Sequence, residues 1–304
     1  MRIKVSTDAQ STIFRQTPQG KGVWKDAVFF VNTNVVECDA WVVHEELSRQ
    51  ESAICPPGNV ILITGEPPDI KTYNARWLEN FSRVRSCQTA IYHPGLSVGH
   101  MSLPWYVRKT YDELVAITPP LKTEHLSVVC SKKAKCPGHK TRIQFVNRLR
   151  PLVSMHRFGH GVRPLADKWD GLAPYRYSIA IENSRVPHYR TEKIADCFLA
   201  GTIPIYWGCP NIEDYFPRDA MIRLESLDPP RVAEQLKAKA TVAGYHRRLD
   251  ALREARRLVL DEYNLFNLAR NLVAERFSAG PTARITLRPE PAKSWAGRIR
   301  QSFQ

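Results

Sequence analysis

Short apolar runs closed by turn residues alternate along the chain with stretches in which apolar positions recur every three or four residues. That alternation predicts an α/β chain built on open, mostly parallel sheets. In the first half the clearest buried strand is "NVILITG", Asn59 to Gly65, set between "CPPG" and "EPP". Another strand is predicted in "SRVRSCQTAIY" and a short one in "AWVV", which follows the loop "ECD". Thr110 to Glu124, punctuated by "TPP", reads as a connection. The second half yields "HLSVVCSKK" as a strand, then a helix from about Thr141 with Ile143, Val146 and Leu149 on one face. "YSIAI" follows as a strand, "TEKIADCFLAG" as a helix stopped by Gly201, and "TIPIYWG" as a strand. A weaker strand, "AMIRLE", precedes "DPPRVAEQLKAK" and one long helical stretch from Tyr245 to Phe277. No internal repeat is visible.

A chain of 304 residues with 43% hydrophobic content can build two domains, each with its own core, and is not a disordered chain. The net charge of +14 favours an anionic partner: nucleic acid, an acidic lipid surface or a phosphate-bearing small molecule. The most basic helical stretch, "YHRRLDALREARR", interleaves Asp250 and Glu254 with its arginines, as a solvated amphipathic helix does, so no nucleic-acid partner is expected. Seven scattered cysteines predict a reducing compartment. With no apolar leader and no run near the ~20 apolar residues of a membrane span, the expectation is a cytoplasmic protein, peripheral to a membrane at most. Such contact would come through the basic end, "PTARITLRPEPAKSWAGRIRQSFQ", where Trp295, Ile299 and Phe303 stand at near-helical spacing. A solvated extension fits the same residues.

The segment "ENSRVPHYRTEK", Glu182 to Lys193, concentrates polar chemistry between a strand and a helix, where α/β sheets bind ligands. Thr191 is suited to cap the helix, which puts Lys193 in its first turn, where the helix dipole disfavours a cation. An anion such as a diphosphate would account for that lysine. A plain turn at Glu182 and Asn183, with Glu192 favouring the helix start, is equally open from the pattern alone. No metal is expected: the spacing of Cys130, Cys136 and His139 fits no common zinc site, no Asp-x-Asp pair is present, and "GKG" at Gly20 to Gly22 falls short of a P-loop. The histidines are dispersed, with His188 and His93 the two that could face a site.

The stretch "YRYSIAIENSRVPHYRTEKIADCFLAGTIPIYWGCPNIEDYFP" resembles the donor-binding motif of the family 10 glycosyltransferases, the α-1,3/1,4-fucosyltransferases, including their bacterial members. "CSKKAKCPGHKTRIQFVNRLRPLVSMHRFGHG" and "NVILITGEPP" resemble two further family segments, and together they extend the likeness over roughly 60–217. The resemblance implies the GT-B form: an acceptor-side Rossmann-like domain over 1–115, a GDP-sugar-binding Rossmann-like domain with helices over 116–275, a cleft between them, and a basic tail over 276–304. It implies an inverting transfer of L-fucose from GDP-L-fucose to a glycan hydroxyl, with GDP-sugar and glycan as partners and no cofactor. Arg142 and Lys193 would hold the diphosphate, Tyr189 and Glu192 the ribose and guanine side, and Asn183 and Ser184 would line the donor pocket. Glu66 would be the general base. Use of another GDP-sugar, or glycan binding without turnover, is the alternative within the same family.

Overall fold

The computed structural model describes every residue except 9, 10, 103, 119, 133, 135 and 292–304. The chain divides into two compact units, the first formed by Met1–Ser11, Asp26–Val98 and the residues from Leu272 onward, the second by Thr12–Lys25 and Gly99–Asn271. The linear reading drew its boundaries after 115 and 275, because punctuation in a sequence cannot show a segment folding with residues far along the chain. Thr12–Lys25 joins the second unit through side chains. Arg15 Nη2 donates to the Trp105 carbonyl at 2.8 Å, Trp24 Nε1 to Asn267 Oδ1 at 3.1 Å, and Asn264 Nδ2 to the Gln16 carbonyl at 2.8 Å.

In the first unit β1 (Arg2–Thr7), β2 (Ala27–Val31), β3 (Ala40–His44), β4 (Val60–Ile63), β5 (Arg83–Ser86) and β6 (Leu96–Val98) run parallel in the order β2-β1-β3-β4-β5-β6. Its central strands β3 and β4 are buried throughout, as parallel strands covered on both faces are. The sequence reading missed β1, whose Lys4 breaks the apolar pattern. Lys4 is 2% exposed and paired with Glu51 at 2.7 Å, which lets a cation occupy a core strand. The single-turn helix α1 (Ala75–Leu78) adds Trp77 and Leu78 to this core.

In the second unit β7 (Glu124–Val129), β8 (His156–Phe158), β9 (Tyr175–Ile181), β10 (Ile203–Trp207) and β11 (Ile222–Arg223) form a parallel sheet ordered β8-β7-β9-β10-β11. Helices α2 (Tyr111–Ala116), α3 (Pro137–Leu149), α4 (Glu192–Leu199), α5 (Pro229–Lys239), α6 (Val242–Arg247) and α7 (Leu249–Leu260) belong to the same unit. Phe145, Ile194, Phe198, Val232 and Leu252 pack from four of these helices into one core with β9 and β10.

Four expectations change. The connection at Thr110 contains α2, whose capping box of Thr110 and Glu113 was written in the sequence as T-x-x-E. α3 starts at Pro137 rather than near Thr141, because proline is at home in a first turn. The single long helix expected from Tyr245 is broken into α6, which starts earlier at Val242, then α7 and Leu265–Glu275. Part of the expected tail is also structured: Ala283–Leu287 pairs antiparallel with Glu51–Cys55. Trp295, Ile299 and Phe303 lie outside the described residues. No described helix is long and apolar enough to cross a membrane.

Counted within each unit, the second sheet runs 2-1-3-4-5 and the first runs 2-1-3-4-5-6. In that order the connections reverse direction between the first and third strands, and the crevice beyond their carboxyl ends is where open α/β sheets bind ligands.

Candidate functional site

In the second unit that crevice lies beyond β7 and β9. β9 ends at Ile181, the loop 182–190 follows, and α4 begins at Glu192. Thr191 caps the helix as expected, its Oγ1 accepting from the Lys193 backbone N–H at 3.3 Å. The helix ends at Leu199, two residues before Gly201, which takes φ +67°.

Arg142 and Asn183, far apart in sequence, meet here: Arg142 Nη1 donates to Asn183 Oδ1 at 2.7 Å. The approach is close enough that a Cβ on Gly138, in the first turn of α3, would lie 1.9 Å from the Asn183 carbonyl oxygen. Arg142 is 9% exposed, and its Nε has no hydrogen-bond partner among the described residues. Arg142, Lys168 and Lys193 line one cavity against β9. Three cationic side chains thus converge on one small space. Ser184 and Tyr189, also expected at the donor site, are buried within the loop.

Lys193 is already paired. Its Nζ stands 3.4 Å from Glu182 Oε2, 3.3 Å from Glu192 Oε1 and 3.0 Å from Thr191 Oγ1. Its place in a helix's first turn is therefore explained by carboxylates of this chain, and the inference from that position to a bound anion is not required. Burial pushes the Glu192 carboxyl up, but Lys193 and Lys168, with hydrogen bonds from Lys193 and Thr191, outweigh it and hold it at about 2.

Four residues with no expected part in donor binding fix this arrangement. Glu182, 1% exposed, accepts from the Thr191 N–H at 2.9 Å and from Thr191 Oγ1 at 2.7 Å, closing the loop on itself. Its side chain crosses Gly208, where a Cβ would lie 2.4 Å from Glu182 Cγ, so the glycine of "IYWG" is needed for the carboxylate to pass. Arg190 is buried with its guanidinium 4.2 Å from the Tyr263 ring centre and 5.0 Å from that of Tyr215, anchoring the loop's far end. Asp196, fully buried, accepts from Lys168 Nζ at 2.7 Å and from the Tyr106 N–H at 3.0 Å. Burial works against the charge on Lys168, but Asp196 and Glu192 outweigh it and push its pKa up, so the third cation of the cavity stays charged. Polar residues following a buried strand were the signal for Glu182; nothing local in the sequence marks Lys168.

Glu66 belongs to the first unit, just past β4. The Tyr73 hydroxyl accepts from the Gly65 N–H at 3.3 Å and the Glu66 N–H at 3.5 Å, while Gln88 Nε2 donates to the Glu66 carbonyl at 2.8 Å. The backbone carrying this half-buried carboxylate is thus held from two sides. Among the described residues no group of three or more His, Cys, Asp or Glu side chains could hold a metal ion.

Two α/β units built on parallel sheets, one carrying a cation-lined cavity beside β9, define the fold. A solved α1,3-fucosyltransferase with GDP shares it at a TM-score of 0.55 and 16% identity, over 91% of each chain. Residues 120–247 match the family model described as glycosyltransferase family 10 (fucosyltransferase), C-terminal. The chain is 30% identical over 146 residues to a putative fucosyltransferase-like protein of Arabidopsis thaliana, over 46% of this chain and 28% of that one. To the α-(1,3)-fucosyltransferase FucT of Helicobacter pylori it is 31% identical over 104 residues, 33% of this chain and 21% of that one. The chain spans well under two thirds of the length of the curated relatives it matches.

Proposed function

We propose that this protein transfers L-fucose from GDP-L-fucose to a glycan hydroxyl with inversion at the anomeric carbon, forming an α-1,3/1,4-type linkage. The reading includes the GT-B form that the family resemblance implies. The observation that carries it is the meeting of Arg142, Asn183, Glu192 and Lys193 at the second sheet's switch point, inside the segment that matches the family. Loss of GDP from an anomeric carbon builds negative charge on a diphosphate, and fixed cations in a low-dielectric pocket stabilise that charge. Arg142 and Lys193 supply it, with Lys168 behind them. The acceptor hydroxyl must lose its proton as it attacks, and Glu66 is the carboxylate assigned to take it.

The test separates binding from chemistry. In calorimetric titrations with GDP, Arg142→Ala and Lys193→Ala should each weaken binding about tenfold or more, by the loss of a charge-assisted contact. Glu66→Gln should bind GDP like the parent while kcat with GDP-L-fucose and N-acetyllactosamine falls about 10²- to 10⁴-fold, as for a lost general base. Unchanged GDP affinity in both cation variants would overturn the donor site, and full activity of Glu66→Gln would remove Glu66 from the chemistry.

A further inference from the structure

The first unit has its own switch point, between β1 and β3, and titratable groups crowd its carboxyl edge. Thr7 ends β1 and Asp8 follows; His44 ends β3 and Glu45 follows. Glu45 adopts φ +67°, a left-handed conformation that a non-glycine residue rarely takes without a reason. Its backbone N–H donates to the Ile63 carbonyl at 2.8 Å, and its side chain lies across Gly65, where a Cβ would come 2.5 Å from Glu45 Cγ and 2.6 Å from Cδ. The next residue is Glu66. His44 is fully buried, and its Nε2, with no hydrogen-bond partner among the described residues, stands 3.9 Å from Glu45 Oε1. Its other ring nitrogen is 3.2 Å from Thr7 Oγ1, and burial holds the imidazole at about 4, so it is neutral near pH 7.

We propose that Glu45 is a positioning residue for Glu66: its side chain, laid on Gly65, fixes where the neighbouring carboxylate points and sets the charge beside it. The proposal rests on the assignment of Glu66 as the base. The groups facing Glu45 are Asp8 after β1, His44 and Glu46 on either side of it, and Glu66 with Tyr73 beyond β4. Lys71 is taken by Glu46 and by Glu290 at 3.1 Å. Burial, then the charges of Asp8 and Glu66, push the Glu45 carboxyl up to about 8, so near pH 7 it holds its proton and Glu66 is spared a second negative charge at its side. As pH rises through about 8 that neutral neighbour becomes an anion, which repels the Glu66 carboxylate from its place.

The experiment measures pH profiles of kcat and KM for GDP-L-fucose, with N-acetyllactosamine as acceptor, in the parent, Glu45→Gln, Glu45→Ala and Glu66→Gln. The parent should lose kcat above about pH 8. Glu45→Gln, which imitates the protonated side chain, should lose that alkaline fall and keep more activity at pH 7 than Glu45→Ala. In Glu45→Ala kcat should drop about 10- to 100-fold, the scale of a misplaced reacting group, with KM for the donor little changed. An alkaline limb that persists unaltered in Glu45→Gln, or full activity of Glu45→Ala, overturns the proposal while an impaired Glu66→Gln keeps the base assignment. Full activity of Glu66→Gln instead sinks the base assignment and the proposal with it.

Discussion

Glu182 and Glu45 each follow the third strand of a sheet ordered 2-1-3-4-5, which the first unit extends by a sixth strand, and each donates its backbone N–H to the last residue of the fourth strand, Trp207 at 2.9 Å and Ile63 at 2.8 Å. Each side chain then crosses a glycine that follows that fourth strand, Gly208 in one unit and Gly65 in the other. The surroundings differ. Glu182 is met by two donors from Thr191 and by the Lys193 ammonium, whereas Glu45 is met by Asp8, Glu46, Glu66 and a neutral imidazole. One backbone device therefore serves two electrostatic purposes: an ion-paired carboxylate that locks a loop, and a proton-holding one that lies beside a carboxylate assigned to chemistry. What differs is which side chains the flanking loops bring to the crevice.

The largest effect should come from the locked side. Glu182→Gln removes a buried charge facing Lys193 and should cost about 3 kcal/mol, near the low end for a broken buried pair because Lys193 keeps some contact with water. Urea unfolding measures it. GDP affinity should fall as well, since Thr191 and Lys193 lose their common anchor. A variant as stable as the parent would mean that Glu182 does not lock the loop, and the contrast with Glu45 would collapse.

The glycines should rank in the same order. Gly208→Ala drives a Cβ into Glu182 Cγ and the Tyr206 hydroxyl, and Glu182 cannot retreat without abandoning Thr191, so about 2 kcal/mol is expected. Gly65→Ala meets first the Glu45 side chain, which is 31% exposed and can give way toward water, so about 1 kcal/mol is expected. Thermal or urea unfolding of the two variants side by side checks the ranking. The reverse order would show that Glu45 is the more tightly held carboxylate.

This pairing explains which parts could be read from the sequence. Strands such as Val60–Ile63 and Tyr175–Ile181, and the helix Glu192–Leu199, were legible because burial on both faces, or on one stripe, dictates an apolar pattern. Arg142, Asn183, Glu192 and Lys193 were found through a motif, and the structure joins Arg142 to Asn183 and Lys193 to Glu192. β1 was illegible because Lys4 is neutralised by Glu51, 47 residues away, a fact held in no local window. Lys168 and Asp196 were missed for the same reason. The likeness between the two units escaped notice because it resides in strand order and backbone hydrogen bonds, and the side chains at equivalent places are free to differ.

The smallest effect, and the sharpest in sign, is pH dependence of stability. The Glu192 carboxyl lies at about 2, below its ordinary 4.5, so the unfolded chain binds the proton first as acid is added. The stability this carboxylate lends is complete above about pH 4.5 and is lost as pH falls toward about 2. Glu45 runs the other way. With its carboxyl at about 8, the folded chain holds a proton that the unfolded chain has released, so its contribution is complete below about pH 4.5 and declines as pH rises to about 8. Because water still reaches Glu45, screening should limit the change to about 1 kcal/mol. Glu45→Gln cannot ionise, so its unfolding midpoint in urea should gain on the parent's between about pH 4.5 and 8, with no such gain at more acid pH. Parallel pH curves for the two proteins would mean that Glu45 ionises like an ordinary surface carboxylate, and the two units would then differ in sequence but not in electrostatic design.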